Sequence, residues 1–329
     1  MLQPLAMLLR EAFFGRLRLD EHERLQHIPD AADGLFLALK LPPGLTIFGR
    51  VLLRVRQVGI LREARRDFVR ERVCLLGAAR CELFGNGTLS IDGHLPPGVT
   101  IGSLEGSGLV TLGANNLTIG ANRLNTTFSG NISGSGSLTK IGPGRLTLSG
   151  PNTYTGQTLV RQGRLFIEDT TGSLNVINGN VKVDGGTFGG SGLVRGGVII
   201  GTARGRPALL EPNVLRGGNF IIQKSLQLNS GATCQVDFNS SKVNGNMYSN
   251  VWANKVTIAA GALFTINDMG NSPFGPVNLV IIVNTGTLPI AGEFANVPEG
   301  GTIVAGQNTY YASYHGGDGN DFTLTTVPP

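Results

Sequence analysis

Charge and aromatic rings are both scarce in this sequence. Asp, Glu, Lys and Arg make up 15% of the 329 residues, and Phe, Trp and Tyr only 6%, with a single tryptophan. A chain so low in charge that is still 41% hydrophobic lacks the composition of a disordered, self-repelling segment. Three cysteines are too few for the disulfide framework of a small secreted domain. No apolar run approaches the length that spans a bilayer, so no transmembrane segment is expected. Glycine is the abundant residue, at 49, but it follows no G-X-Y period, which excludes a collagen-like chain. Glycine-punctuated β structure is the class that remains.

The charge is also unevenly placed. Residues 1–82 hold 14 of the 27 basic and 10 of the 22 acidic side chains, and residues 83–329 hold the other 13 and 12. The net charge of +5 therefore belongs mostly to the first quarter of the chain. Glycine shifts the other way, with 6 before residue 83 and 43 after it. The change is sharp near Leu83-Phe84-Gly85 and divides the sequence into residues 1–82 and 83–329.

The first part reads as a basic, arginine-rich segment, helical or disordered. Leu61, Ala64, Phe68, Val69, Val73 and Leu76 recur at helical spacing, with Arg62, Arg65, Arg66, Arg70 and Arg72 between them. Three readings stay open: a basic surface for membrane or nucleic acid, a solvated helix face, or a sequence of non-native origin. The last is favoured because 13 of the 14 basic residues are arginine, the bias that a misplaced start or shifted frame in GC-rich DNA produces. No nucleic-acid partner is expected for the chain as a whole. No export signal is expected either, since Arg10 and Glu11 interrupt the apolar run from Met1 to Leu9.

From residue 84 onward the pattern is short alternating runs bounded by Gly or Asn: Gly87 to Ile91, Val99 to Ile101, Leu109 to Leu112 and Asn116 to Ile119. The most regular stretch is 133–168. There Ser137 to Ile141, Arg145 to Ser149, Gln157 to Val160 and Arg164 to Ile167 are separated by Gly142-Pro-Gly144, by the corner Gly150-Pro-Asn-Thr-Tyr-Thr-Gly156 and by Gly163. Strands this short cannot each bury a face alone and must stack on one another, as in a β-solenoid. Alternation then assigns the interior. Cys234, Val236 and Phe238 share one face, as do Leu226 and Leu228, Val256 and Ile258, and Phe322 and Leu324. Rungs of about 20 to 25 residues predict roughly ten turns, about 50 Å long.

The same stretch resembles the autotransporter-associated β-strand repeat, G-x-L-x-K-x-G-x-G-x-L-x-L-x-G-x-N-x-Y-x-G-x-T-x-V-x-x-G-x-L. Gly136, Leu138, Lys140, Gly142, Gly144, Leu146, Leu148, Gly150, Asn152, Tyr154, Gly156, Thr158, Val160, Gly163 and Leu165 all fall on it. Arg145 and Arg164 stand where the family usually has threonine. The resemblance implies a right-handed parallel β-helix exported to a bacterial surface or medium, outer-membrane-associated or secreted, with translocation machinery as a partner. It continues in a β-rich C-terminal region from about residue 218, through Gly292-Glu-Phe294 and Pro298-Glu-Gly300 to Gly316-Gly-Asp-Gly-Asn-Asp321. No stretch for a translocator barrel and no sorting tail is expected after Pro329.

Candidate chemistry is thin. Gly316 to Leu324 nearly fits a calcium nonapeptide, but one copy lacks the neighbouring turns that sandwich the ion, and a plain hairpin turn is the expectation. His22, His27, His94 and His315 are scattered, Cys74 and Cys81 could pair or stay free, and Cys234 reads as a small core residue. No metal and no cofactor are expected. Glu168, Asp169, Asp184 and Glu211 read as too dispersed for a catalytic set, and no nucleophile elbow is present. Lys140, Arg145, Arg161 and Arg164 read as a solvated basic stripe. The resemblance implies a non-catalytic structural or adhesive solenoid with no catalytic residues, its expected partners cell-surface glycans or matrix components. The alternative is a polysaccharide lyase or hydrolase on the same fold, which a cluster of outer-face carboxylates in a groove would favour.

Overall fold

A computed structural model describes the strand Thr46–Phe48 and residues 80–328, apart from 84, 86, 95–96, 169–175, 203–205, 213–218, 242–247, 249 and 274. The described residues are all β, without helix, and form a parallel β-solenoid as the alternation predicts. The helical periodicity from Leu61 to Leu76 lies outside them.

One sheet runs the length of the stack through nine coils, from Arg80–Leu83 to Leu263–Asp268, every pairing parallel. Opposite it runs a second sheet, from Val99–Ile101 through Leu138–Lys140 and Thr158–Val160 to Asn278–Asn284. A third, of four strands, closes the first coils with Thr88–Ser90, Leu109–Thr111 and Asn131–Ser133, and Thr46–Phe48 adds to it antiparallel. Along the long sheet, partners on successive coils stand 19 residues apart at the shortest, Arg145 with Arg164, and 24 apart from Ala208 to Ala232. The step widens to 30 between Thr233 and Leu263.

Register puts like on like inside. Leu146 lies between Thr126 and Leu165, and the column continues through Phe188, Leu210, Cys234 and Phe264, all buried. The expected inward set is confirmed: Cys234, Val236, Phe238, Leu226, Leu228, Val256, Ile258, Phe322 and Leu324 are all buried. The column through Ile119, Lys140 and Val160 holds a surprise, because Lys140 is 1% exposed. Its Nζ donates to the corner carbonyls of Ile141 (2.7 Å), Gly142 (2.8 Å) and Gln162 (3.4 Å), and burial lowers its pKa to about 8. Lys140 is therefore not part of a solvated stripe. An aliphatic stem fills the column while the ammonium ties two coils together at the turn.

Among the described residues the long sheet has nine coils, and the first of them includes Arg80, Cys81 and Glu82, with Cys81 buried and free. One expectation is corrected at the C-terminal end. The C-terminal strand Asp321–Thr325 runs antiparallel to Asn278–Asn284, and the hairpin Thr302–Ala305 with Asn308–Gly316 extends the same sheet. This reversal seals the end of the stack. The Asn296 amide donates to the Phe264 carbonyl at 2.8 Å and accepts from its N–H at 2.9 Å, standing in for a tenth strand. Phe264, Phe294, Tyr314 and Phe322 plug the coil behind it, neighbouring ring centroids 4.7 to 6.4 Å apart. Exposed solenoid ends need such closure to avoid edge pairing.

Candidate functional site

Outward side chains of the long sheet converge on a polar groove. A column of register partners runs Glu82 to Glu105 on neighbouring coils, then Thr127, Thr147 and Phe166 further along. Arg80 reaches across the first two, forming a bidentate pair with Glu105 and lying 2.8 Å from Glu82. Donating to the Glu105 carboxylate raises the Arg80 pKa further. Two coils from Glu105, Arg145 pairs with Glu168, donates to the Thr147 hydroxyl at 3.0 Å and covers the Phe166 ring, 4.5 Å from its centroid. Thr127, a short exposed side chain, stands between these two walls. The result is a trough of about 510 Å³ lined by Glu105, Asn125, Thr127, Arg145, Thr147 and Glu168.

Of the four acids singled out from the sequence, Glu168 alone lines this trough. Glu105 and Glu168 are far apart in sequence, yet the coil period brings both to one face, with Glu211 further along it beside Arg164 at 3.6 Å. Burial raises the Glu211 pKa, against the pull of Arg164. Asp184 instead pairs with Lys182 at 2.9 Å on the other sheet, and Asp169 lies outside the described residues. Glu82 and Glu105 were not singled out by local motif. The signal that finds them is the repeat length, since residues about one coil apart share a face.

The remaining candidates go to structural positions. Gly316 to Asp321 turns the last hairpin, as expected, and the Asp321 carboxylate accepts the Asn284 N–H at 2.8 Å. His315 meets Glu299 at 3.3 Å, His94 lies in the turn after Ile91, and Cys234 is buried. His22, His27 and Cys74 fall outside the described residues.

The residues that carry the repeat pattern all turn inward or form corners. Leu138, Leu146, Leu148, Val160 and Leu165 are buried in the columns. Asn152 sits in a corner, accepting from the Ile132 N–H (3.2 Å) and donating to the Gly150 carbonyl (2.9 Å). Tyr154 is fully buried and shares a 2.6 Å hydrogen bond with Thr158, replacing a strand of the third sheet on this coil. Arg145 and Arg164, which stand where the family usually has threonine, point outward.

Comparison with known proteins agrees with this geometry. A family model described as passenger-associated-transport-repeat matches residues 138–165, so the chain carries this repeat. Over 107 residues, 30% of the chain, it is 37% identical to the adhesin BmaC autotransporter of Brucella suis biovar 1 (strain 1330). Over 68 residues, 20% of the chain, it is 46% identical to an extracellular serine protease of Serratia marcescens. These stretches are 3% and 6% of the relatives' lengths, so the chain spans a small part of the curated proteins it matches. An autotransporter and an extracellular protein bear out the expected secreted or cell-surface location.

Proposed function

We propose that this chain is a surface-exposed, non-catalytic passenger solenoid with a structural and adhesive role, its partners cell-surface glycans or matrix components. The observation that carries this reading is the placement of the repeat. Its residues fill columns, cage a lysine or turn corners, and they leave ligand contact to the outer face. The similarity to an adhesin supports the same reading.

The lyase or hydrolase alternative has one specific observation behind it, the outer-face carboxylates. Their geometry disfavours it. Glu105 and Glu168 are each held by a separate guanidinium, Arg80 and Arg145. Glu82 and Glu105 are neighbours, but one guanidinium engages both. The test is incubation of the chain with a panel of plant and bacterial polysaccharides, alongside binding to matrix-coated and cell surfaces. Binding without release of reducing or unsaturated ends is the expected result. Release of such ends, lost in Glu105→Gln at unchanged thermal stability, would establish the enzyme instead.

A further inference from the structure

We infer that the corner where residues 284–288 meet the hairpin turn 316–321 is a calcium site, its oxygens supplied by Asn284, Asn320, Asp321 and Asp318. It lies at the C-terminal end of the stack, apart from the polar groove, and stands whether or not the groove binds a ligand.

The first reason is an uncompensated charge. From residue 256 to residue 329 the sequence has five carboxylates, Asp268, Glu293, Glu299, Asp318 and Asp321, and no lysine or arginine. Asp321 is nonetheless only 4% exposed. Among the described residues no ion pair engages it. Burial raises its pKa, and the neighbouring Asp318 carboxylate adds to the rise, against the pull of the backbone N–H groups of Asn284 and Asp318. A buried carboxylate in this position is stabilised by a cation, and here the cation must come from solution.

The second reason is a pair of buried oxygens with no donor. Asn284 is 1% exposed. Its N–H donates to Asp321 Oδ1 at 2.8 Å and its Nδ2 to the Leu288 carbonyl at 2.6 Å, while its Oδ1 has no hydrogen-bond partner. Asn320 donates from Nδ2 to the Gly286 carbonyl at 2.7 Å, and its Oδ1 is likewise buried and unpartnered. Gly286 joins the two, since a Cβ placed on it would lie 3.5 Å from Asn284 Oδ1. Every unsatisfied atom at this corner is therefore an acceptor. A water molecule has two hydrogens to give and leaves the carboxylates uncompensated, whereas a cation answers both needs. Amide and carboxylate oxygens without nitrogen or sulfur select a hard ion, and an irregular oxygen set from two separate segments suits calcium better than magnesium, which demands a near-ideal octahedron. Asp318 is exposed at the mouth and gives the ion a path in. Gly317 leaves Asp321 Oδ2 uncovered, because a Cβ there would lie 1.9 Å from it. A single nonapeptide-like turn has no second copy to sandwich an ion. Residues 284–288, which follow the strand paired with Asp321–Thr325, take that place.

Asp318→Asn is the variant that decides, because Asp318 is exposed and its loss leaves the hydrogen bonds of Asn284, Asn320 and Asp321 side chains in place. Asp321→Asn is the stronger change, and Asp92→Asn, an exposed acid in a turn of the first coils, is the control. The full-length chain and the variants are stripped with EDTA, dialysed into about 0.15 M NaCl, and titrated calorimetrically with calcium chloride or magnesium chloride, with melting temperatures measured in parallel. The parent is expected to bind one calcium ion with a Kd on the order of 10⁻⁴–10⁻³ M, in the range of extracellular modules. Calcium should raise its melting temperature, and the same concentration of magnesium should not. Asp318→Asn should bind calcium at least tenfold more weakly while melting, without calcium, no lower than the parent. Asp321→Asn should lose the binding, and Asp92→Asn should keep it. No calcium binding by the parent, equal binding of magnesium, unchanged affinity in Asp318→Asn, or loss of binding in Asp92→Asn would overturn the site.

Discussion

Gly163→Ala is expected to destabilise the chain by at least about 3 kcal/mol. Gly163 turns the corner between two sheets at φ 74°, in the left-handed region where a Cβ meets its own backbone. That strain alone is about 1–2 kcal/mol. The neighbouring coil makes it worse: an added Cβ would lie 2.2 Å from the Gly142 carbonyl oxygen, 2.6 Å from that of Gly144 and 2.9 Å from Lys140 Nζ. The two oxygens belong to backbone fixed by the next coil, so relief requires separating the coils at the lysine cage. Gly300→Ala is the comparison, since Gly300 has a similar φ of 69° with nothing within 4 Å of the added atom. It should show the conformational strain alone. Chemical denaturation of both variants separates the two contributions, and equal losses would mean that coil contact at the corner contributes nothing.

The second large effect is expected at Leu146, which is 1% exposed within the continuous inner column. Leu146→Ala should cost about 2–4 kcal/mol, the range for emptying a buried leucine site that cannot collapse. Arg145→Ala, one residue away and outward, should cost about 1 kcal/mol: a partly exposed ion pair and the cover over Phe166. Denaturation midpoints compared at constant slope check the pair. The ordering, more than either value, follows from the inward and outward assignment.

Much of that assignment was legible in the sequence. Leu146 with Leu148, and Cys234 with Val236 and Phe238, declare their face by strict alternation, because a strand has a side-chain period of two. What was not legible involves contacts between coils. Lys140 alternates with Leu138 and so faces inward by the same rule, but its charge argued for solvent. Only the three carbonyls gathered at the corner make its burial tolerable. Phe166 alternates outward and is nonetheless buried, because Arg145 of the preceding coil lies over it. The carboxylate cluster escaped for a related reason. The coil steps between Glu105 and Glu168 are 22, 20 and 19 residues, so the repeat length places both in one groove only once each coil is delimited. The antiparallel end escaped because alternation in Asp321–Thr325 is the same in either strand direction.

The central claim is that each coil is held by the coils on either side of it, and a double-mutant cycle measures this directly. Leu146 and Leu165 are register partners on adjacent coils, whereas Val236 lies four coils from Leu146 along the same sheet. Denaturation of Leu146→Ala, Leu165→Ala, Val236→Ala and the two double variants containing Leu146→Ala gives both coupling energies. A stacked solenoid predicts coupling of about 0.5–3 kcal/mol between Leu146 and Leu165, and additivity within about 0.5 kcal/mol between Leu146 and Val236. Additivity at the adjacent pair, or equal coupling at both distances, would contradict the stacked-coil account.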